Sequence, residues 1–189
     1  MYKQERSGYT LIIQDIFMKK GYVQVYTGEG KGKTTAALGL CVRAAGAGFK
    51  VYVAQFIKMG DYSEIKALKR FDDLITVKQY GLGRFIKGKP AQEDIDTAQA
   101  GLKEAKAALV SGEYDLVVLE EGNVAVTCGL FSIDDLMKVV ELRPPTTELL
   151  ITGRGAHERL IEAADLVTEM REIKHYYKQG VQARIGIEK

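Results

Sequence analysis

Short apolar runs alternate with longer stretches of helical period along this chain. "YVQVYTG" (Tyr22–Gly28), "KVYVAQFI" (Lys50–Ile57), "LITVKQYG" (Leu74–Gly81) and "DLVVLEE" (Asp115–Glu121) read as strands, and "TELLITGRG" (Thr147–Gly155) as a strand entering a loop. "LVTEMREI" (Leu166–Ile173) suits a last strand. Between them, "KTTAALGLCVRAAGAG" (Lys33–Gly48) reads as a helix ending in glycines that can take a left-handed cap. Ala91–Gly112 is a long helix with Ile95, Ala98, Leu102, Ala105 and Leu109 at three-to-four spacing. "SEIKALKRF", "IDDLMKVVEL" and "HERLIEAAD" are shorter helices. The alternation predicts an α/β fold, a mostly parallel sheet flanked by helices. The unbroken apolar run of Asp115–Glu121 predicts a central strand buried on both faces. Leu11, Ile12, Ile16 and Phe17, with Tyr9 nearby, predict an amphipathic helix in the leading segment 1–20, outside the sheet or on a second subunit. The tail from Lys174 has no clear period.

Composition narrows this picture only a little. The 189 residues suit one domain, here 21–189, and 46% apolar with 28% charged residues is ordinary for a globular protein. A net charge of +2 argues against nucleic acid or a membrane surface as partner. Cys41 and Cys128 form no CxxC or zinc pattern and read as reduced thiols. There is no apolar run long enough for a membrane span and no signal-peptide pattern, so the expected location is cytoplasmic.

The chemistry begins at "TGEGKGKTTAALGL" (Thr27–Leu40). A phosphate-binding loop usually runs Gly, four residues, then Gly-Lys-Ser/Thr. Counting back from Gly32-Lys33-Thr34 puts Thr27 where the first glycine belongs, and Gly28 makes the loop one residue short. The context is otherwise complete: a strand enters, Gly28, Gly30 and Gly32 alternate with Glu29 and Lys31, and a helix begins at Lys33. Such a loop turns backbone N–H groups toward an anion, and the helix start adds partial positive charge. Lys33 supplies a full charge to phosphates, and the Thr34 hydroxyl can ligate Mg²⁺. Lys31 adds charge and Thr35 another hydroxyl. A dinucleotide fingerprint is excluded, because the second strand ends "VAQFIK" without an acid. The absence of NKxD favours adenine over guanine.

Glu120 and Glu121 end the buried strand at the edge where parallel sheets bind ligands, so a metal role is expected for at least one. "TGRG" (Thr152–Gly155) should reach the same edge, where Arg154 could approach a phosphate or simply form a surface turn. His157 and His175 belong to no zinc site or nucleophile motif, and a structural role is expected for each.

Three blocks then converge: the glycine loop with "VYVAQFIK", the strand "DLVVLEEGNVAV", and "LLITGRG" onward to "GVQARIGIE". Together they resemble the P-loop type ATP:corrinoid adenosyltransferases, from about Gly21 to the C-terminus. The resemblance implies a P-loop NTPase-like (RecA-like) fold. It implies transfer of the 5′-deoxyadenosyl group of ATP to the cobalt of a reduced Co(I) corrinoid, with triphosphate leaving, in adenosylcobalamin synthesis or salvage. ATP is then co-substrate, bound reversed in a shortened loop, and Mg²⁺ or Mn²⁺ the metal. By the same resemblance Gly28 through Thr35 cradle the triphosphate and Lys33, Thr34 and Glu121 serve catalysis. Thr34, Glu121 and Glu120 hold metal, and Arg154 contacts the nucleotide. Phe85, with Ile86, would form an apolar wall for the corrinoid. Homodimers, with segment 1–20 covering a partner's site, and a flavoprotein reductant are also implied. Three positions depart from the family: Glu120 where Asp is usual, Gly122 where an apolar residue is common, and "GLGRFIKGKP" where Gly-x-Gly-Phe-Thr-Trp often stands. Gly122 there suggests a looser strand end. The residues alone also permit a small-molecule kinase or ATPase, or a non-catalytic nucleotide or corrinoid binder.

Overall fold

A computed structural model of the chain describes residues 18–86 and 88–188. The leading helix expected around Leu11–Phe17 lies outside the described residues.

Six strands form one sheet: β1 (Val23–Thr27), β2 (Val51–Phe56), β3 (Ile75–Tyr80), β4 (Leu116–Glu120), β5 (Glu148–Thr152) and β6 (Leu166–Glu169). Their order is β3-β2-β4-β5-β1-β6 and all pairings are parallel. The helices are α1 (Lys33–Gly46), α2 (Ser63–Leu68), α3 (Gln92–Val110), α4 (Gly122–Thr127), α5 (Ile133–Leu142) and α6 (Glu158–Ala163). This is the α/β architecture, a parallel sheet flanked by helices, that the strand–helix alternation implies.

Parity along the strands decides which face each side chain serves. In β4, Val117 and Leu119 join the core under α3 and α5, with Ala98, Leu102, Ala105, Leu109, Leu136 and Val139. Leu116 and Val118 face the other way, against Ala37, Leu38, Cys41, Ala44 and Ala45 of α1. Strands β2, β4 and β5 are buried throughout, as sheets covered on both faces require. Cys41 and Cys128 are both free thiols, and burial pushes Cys41 up to about 12.

Two elements differ from the sequence reading. The strand expected through Ile173 stops at Glu169, because β6 is an edge strand whose pairing with β1 ends at Thr27↔Glu169, where β1 turns at Gly28. The strand Asp115–Glu121 ends at Glu120, and the apolar residues after it form the short helix α4 rather than more strand. Gly122 does not loosen this junction. A Cβ there would stand 3.3 Å from both Ile151 Cγ2 and Leu119 Cβ, so the glycine allows close packing.

α3 approaches the sheet along small residues. At Gly101 a Cβ would lie 2.3 Å from Tyr80 Cγ. Tyr80 cannot easily yield, since its hydroxyl donates to Glu104 Oε2 at 3.0 Å and shares a 2.7 Å hydrogen bond with Tyr52. Gly101→Ala should therefore destabilise the fold by about 1–3 kcal/mol in denaturant unfolding, despite a helix-propensity gain of about 1 kcal/mol. A more stable variant would contradict this packing.

Candidate functional site

The loop between β1 and α1 is shaped by its glycines. Gly28 and Gly32 take φ values of +93° and +119°, a region open to glycine at little cost. Gly30 donates its N–H to the Met170 carbonyl at 2.6 Å, so the chain leaving β6 braces the loop. α1 then starts with no side-chain cap and no acid in its first turn, which leaves its positive end for an anion. Lys33 is buried, and its ammonium donates to the Gly28 and Gly30 carbonyls, each at 2.6 Å. Burial lowers its pKa, and the charges of Arg154 and Lys58 add to that against Glu121 and Glu29.

Thr27 explains the short loop. It is buried, and its hydroxyl accepts the Ala156 N–H at 3.2 Å. Thr152 opens "TGRG" in the same way and accepts the Glu121 N–H at 3.1 Å. The two strand ends thus carry matching Thr-Gly-x-Gly turns on neighbouring strands. The intervening residues, Glu29 and Arg154, meet at 3.5 Å. Gly153 and Gly155 adopt φ values of +128° and +64°, and Asn123 Nδ2 donates to the Gly153 carbonyl at 3.1 Å, so Arg154 sits on a built turn.

Strand parity brings the acids to this loop. Glu120 follows Leu116 and Val118 on the α1 face, directly at the helix start, and is fully buried. Thr34 Oγ1 donates to Glu120 Oε1 at 2.6 Å. Lys58 reaches in from the end of β2, whose Gln55 pairs with Glu120 in register. Its Nζ donates to Glu120 Oε1 at 2.9 Å and to Thr34 Oγ1 at 3.2 Å, and lies 3.5 Å from Glu121 Oε1. Burial disfavours the Lys58 charge, but Glu120 and Glu121 outweigh it and raise its pKa. Burial, with the charge of Glu121, pushes Glu120 upward, against Lys58 and the Thr34 hydroxyl. Among the described residues Glu120 Oε2 has no hydrogen-bond partner.

A cavity of about 880 Å³ opens over these groups. Its wall includes Glu29 through Thr35, Lys58, Glu121 and Arg154. It also includes His175, Tyr177, Lys178 and Ile187 from the C-terminal segment, which carries no regular period yet folds back over the loop. Lys31 fastens it, donating to Glu188 Oε1 and the Ile187 carbonyl at 3.0 Å each and to the Tyr176 hydroxyl at 3.3 Å. Tyr176 and Arg184 also donate to Glu188, whose carboxyl is held well below the usual range, first by Arg184. Both histidines cap turns: His157 Nδ1 accepts the Arg159 N–H and His175 Nδ1 the Tyr177 N–H.

The structure therefore gathers the glycine loop, Glu121 and Arg154 around one cavity, with Glu120 beneath. It does not bring Phe85 to that cavity. Phe85 is 92% exposed on the loop after β3, while Ile86 packs toward the core. Lys58 escaped the sequence reading, although a lysine ending an apolar strand at the carboxyl edge was its signal. The C-terminal segment escaped it too, lacking periodicity. Among the described residues no group of three His, Cys, Asp or Glu converges as a metal cage, and no helix is long and apolar enough to cross a membrane.

The chain is similar to the flagellar accessory protein FlaH of Methanocaldococcus jannaschii, with TM-score 0.57 and 12% identity over 79% of this chain and 71% of that one, a likeness of fold alone. It is 38% identical over 171 residues to a corrinoid adenosyltransferase of Pseudomonas aeruginosa, covering 90% of this chain and 84% of the relative. It is 34% identical over 170 residues to the Escherichia coli K12 corrinoid adenosyltransferase, covering 90% and 86%. The profile of the family described as ATP:corrinoid adenosyltransferase BtuR/CobO/CobP matches residues 19–188. With that match spanning the loop, the acids, the TGRG turn and the C-terminal clasp, the chain belongs to the ATP:corrinoid adenosyltransferase family.

Proposed function

We propose that this chain transfers the 5′-deoxyadenosyl group of ATP to the cobalt of a reduced Co(I) corrinoid and releases triphosphate. One cavity of about 880 Å³ joins the glycine loop to Lys58, Glu121 and Arg154, and that junction supports the reading. Its size suits a nucleotide.

Co(I) is the nucleophile, so the protein needs no base to create one. The Co(I) electron pair forms the bond to C5′ as the C5′–O bond breaks, and the triphosphate leaves with the bonding pair. The protein must hold C5′ in line and stabilise charge on the leaving group. Lys33, fixed at the centre of the loop, and the uncapped start of α1 supply that charge. Arg154 adds another cation on its turn. Glu29 and Lys31 line the phosphate end, with Lys31 also tying down the C-terminal segment.

A divalent cation, Mg²⁺ or Mn²⁺, fits the residues present. Thr34, Glu120 and Glu121 are hard oxygen donors, one Glu120 oxygen is buried without a partner, and the Thr34 oxygen already faces a cation. These three would hold it, and it would neutralise triphosphate charge when bound. Phe85, exposed on the loop after β3, offers apolar surface for the corrin, while Ile86 packs toward the core.

Residues 21–189 act as one P-loop domain in a homodimer. Exposed Leu166 and Val167 on edge strand β6 support such an association. A flavoprotein supplies the electron that makes Co(I), and two free thiols suit a cytoplasmic setting.

Anaerobic incubation with ATP, Mg²⁺ and chemically reduced cob(I)alamin should give the spectrum of a Co–C bond. ADP accumulating without that spectrum would contradict adenosyl transfer. Lys33→Ala should lower kcat/KM by about 10²–10³-fold, the usual cost of removing one charge-stabilising donor. Activity equal to wild type would remove the loop from the mechanism.

A further inference from the structure

Among the described residues only two non-glycine residues have positive φ, Ile57 at +67° and Glu121 at +59°. They directly follow the adjacent strands β2 and β4 and flank the same ion cluster. Ile57 is the costlier, because a β-branched side chain rarely tolerates this region. It is the centre of a three-residue γ-turn, closed by the Lys58 N–H donating to the Phe56 carbonyl at 2.7 Å. Gly81 makes room for it, since a Cβ there would lie 2.2 Å from the Ile57 carbonyl carbon. Strain persists where the surroundings impose it, and it collects at functional positions.

The turn aims Lys58 at the acids. Its Nζ occupies a position 2.9 Å from Glu120 Oε1, 3.2 Å from Thr34 Oγ1 and 3.5 Å from Glu121 Oε1. The Thr34 proton is already committed to Glu120. Its lone pair therefore faces Lys58, as a hydroxyl faces a metal. These are the oxygens assigned above to the divalent cation, so the inference rests on that part of the proposed function.

We propose that Lys58 is a tethered cation that competes with the divalent metal for Thr34, Glu120 and Glu121. In the nucleotide-free protein the ammonium holds two acids together and keeps the metal position filled. Metal then binds well only with nucleotide, whose triphosphate gives Lys58 an alternative anionic partner within the same cavity. Lys58 is thus a positioning residue that couples metal entry to ATP, and it explains why a strained turn ends β2.

The test is an EPR-monitored Mn²⁺ titration of the full chain without nucleotide. Lys58→Met should bind Mn²⁺ about tenfold more tightly than wild type, because one competing charge is gone and two carboxylates remain. Unchanged or weaker Mn²⁺ binding overturns the proposal. A loss of ATP affinity with no change in Mn²⁺ affinity overturns it too, and makes Lys58 a phosphate ligand only. Adding Glu120→Gln to Lys58→Met should abolish the gain; a gain that survives means Glu120 is not contested. Should Lys58→Met melt without metal, Mn²⁺ should restore its transition at concentrations that leave the wild-type midpoint unmoved. No such recovery counts against the proposal. Failure of the adenosyl-transfer reading would appear instead in the wild-type cob(I)alamin assay, which these titrations do not involve.

Discussion

A carboxylate buried at the carboxyl end of a central parallel strand is the constraint around which this site is built. Glu120 is fully buried on β4, on the face covered by α1. An ionised acid in such a place must find donors or lose its charge. It finds the Thr34 hydroxyl at the first turn of α1 and the Lys58 ammonium at the end of β2. Those partners in turn fix where α1 begins and why β2 must bend at Ile57. The apolar positions Leu116 and Val118 on the same side of β4 anchor α1 against the sheet, so hydrophobic packing sets the distance across which the charges meet. Removing Lys58 would leave the buried Glu120 charge uncompensated, which is costlier than losing the pair's modest net attraction.

The two Thr-Gly-x-Gly turns extend this logic along the sheet edge. Each threonine ends a strand by accepting a backbone N–H from the segment that leaves the neighbouring strand of the sheet. Each x residue, Glu29 or Arg154, is thereby presented to the cavity with the opposite charge. The loop is short because Thr27 belongs to β1 as its last buried residue, not to the phosphate cradle. The C-terminal clasp on Lys31 makes a third layer, tying residues near the end of the chain to the loop near its start.

Much of this was legible in the sequence. Period-two and continuous apolar runs mark the central strands, and the strand–loop–helix context marks Gly28 through Thr35 as the candidate phosphate loop, which lines the cavity from Glu29 onward. Strand parity, once the register is known, carries Glu120 to Thr34. The register is the part that sequence withholds. Lys58 acquires its meaning only when Gln55 pairs with Glu120, a contact between distant segments. Helix α4 hides because "GNVAVT" prolongs an apolar run and starts from Glu121 in a left-handed conformation, which no ordinary cap signal announces. The C-terminal segment hides because side-chain bonds rather than periodic burial hold it. The family resemblance pointed to its last residues without a physical reason, and the bonds of Glu188 to Lys31, Tyr176 and Arg184 supply one.

In the proposed reaction the loop holds the leaving group while the reacting atom lies at the other end of ATP. ATP carrying ¹⁸O in the bridge between C5′ and the α-phosphorus tests it most directly. After turnover with Co(I) corrinoid, mass spectrometry should find the label in triphosphate and none in nucleoside, because the C5′–O bond is the one that breaks. Label retained in ADP or another adenosine-containing product would mean that a phosphorus–oxygen bond was cleaved, and would contradict the account.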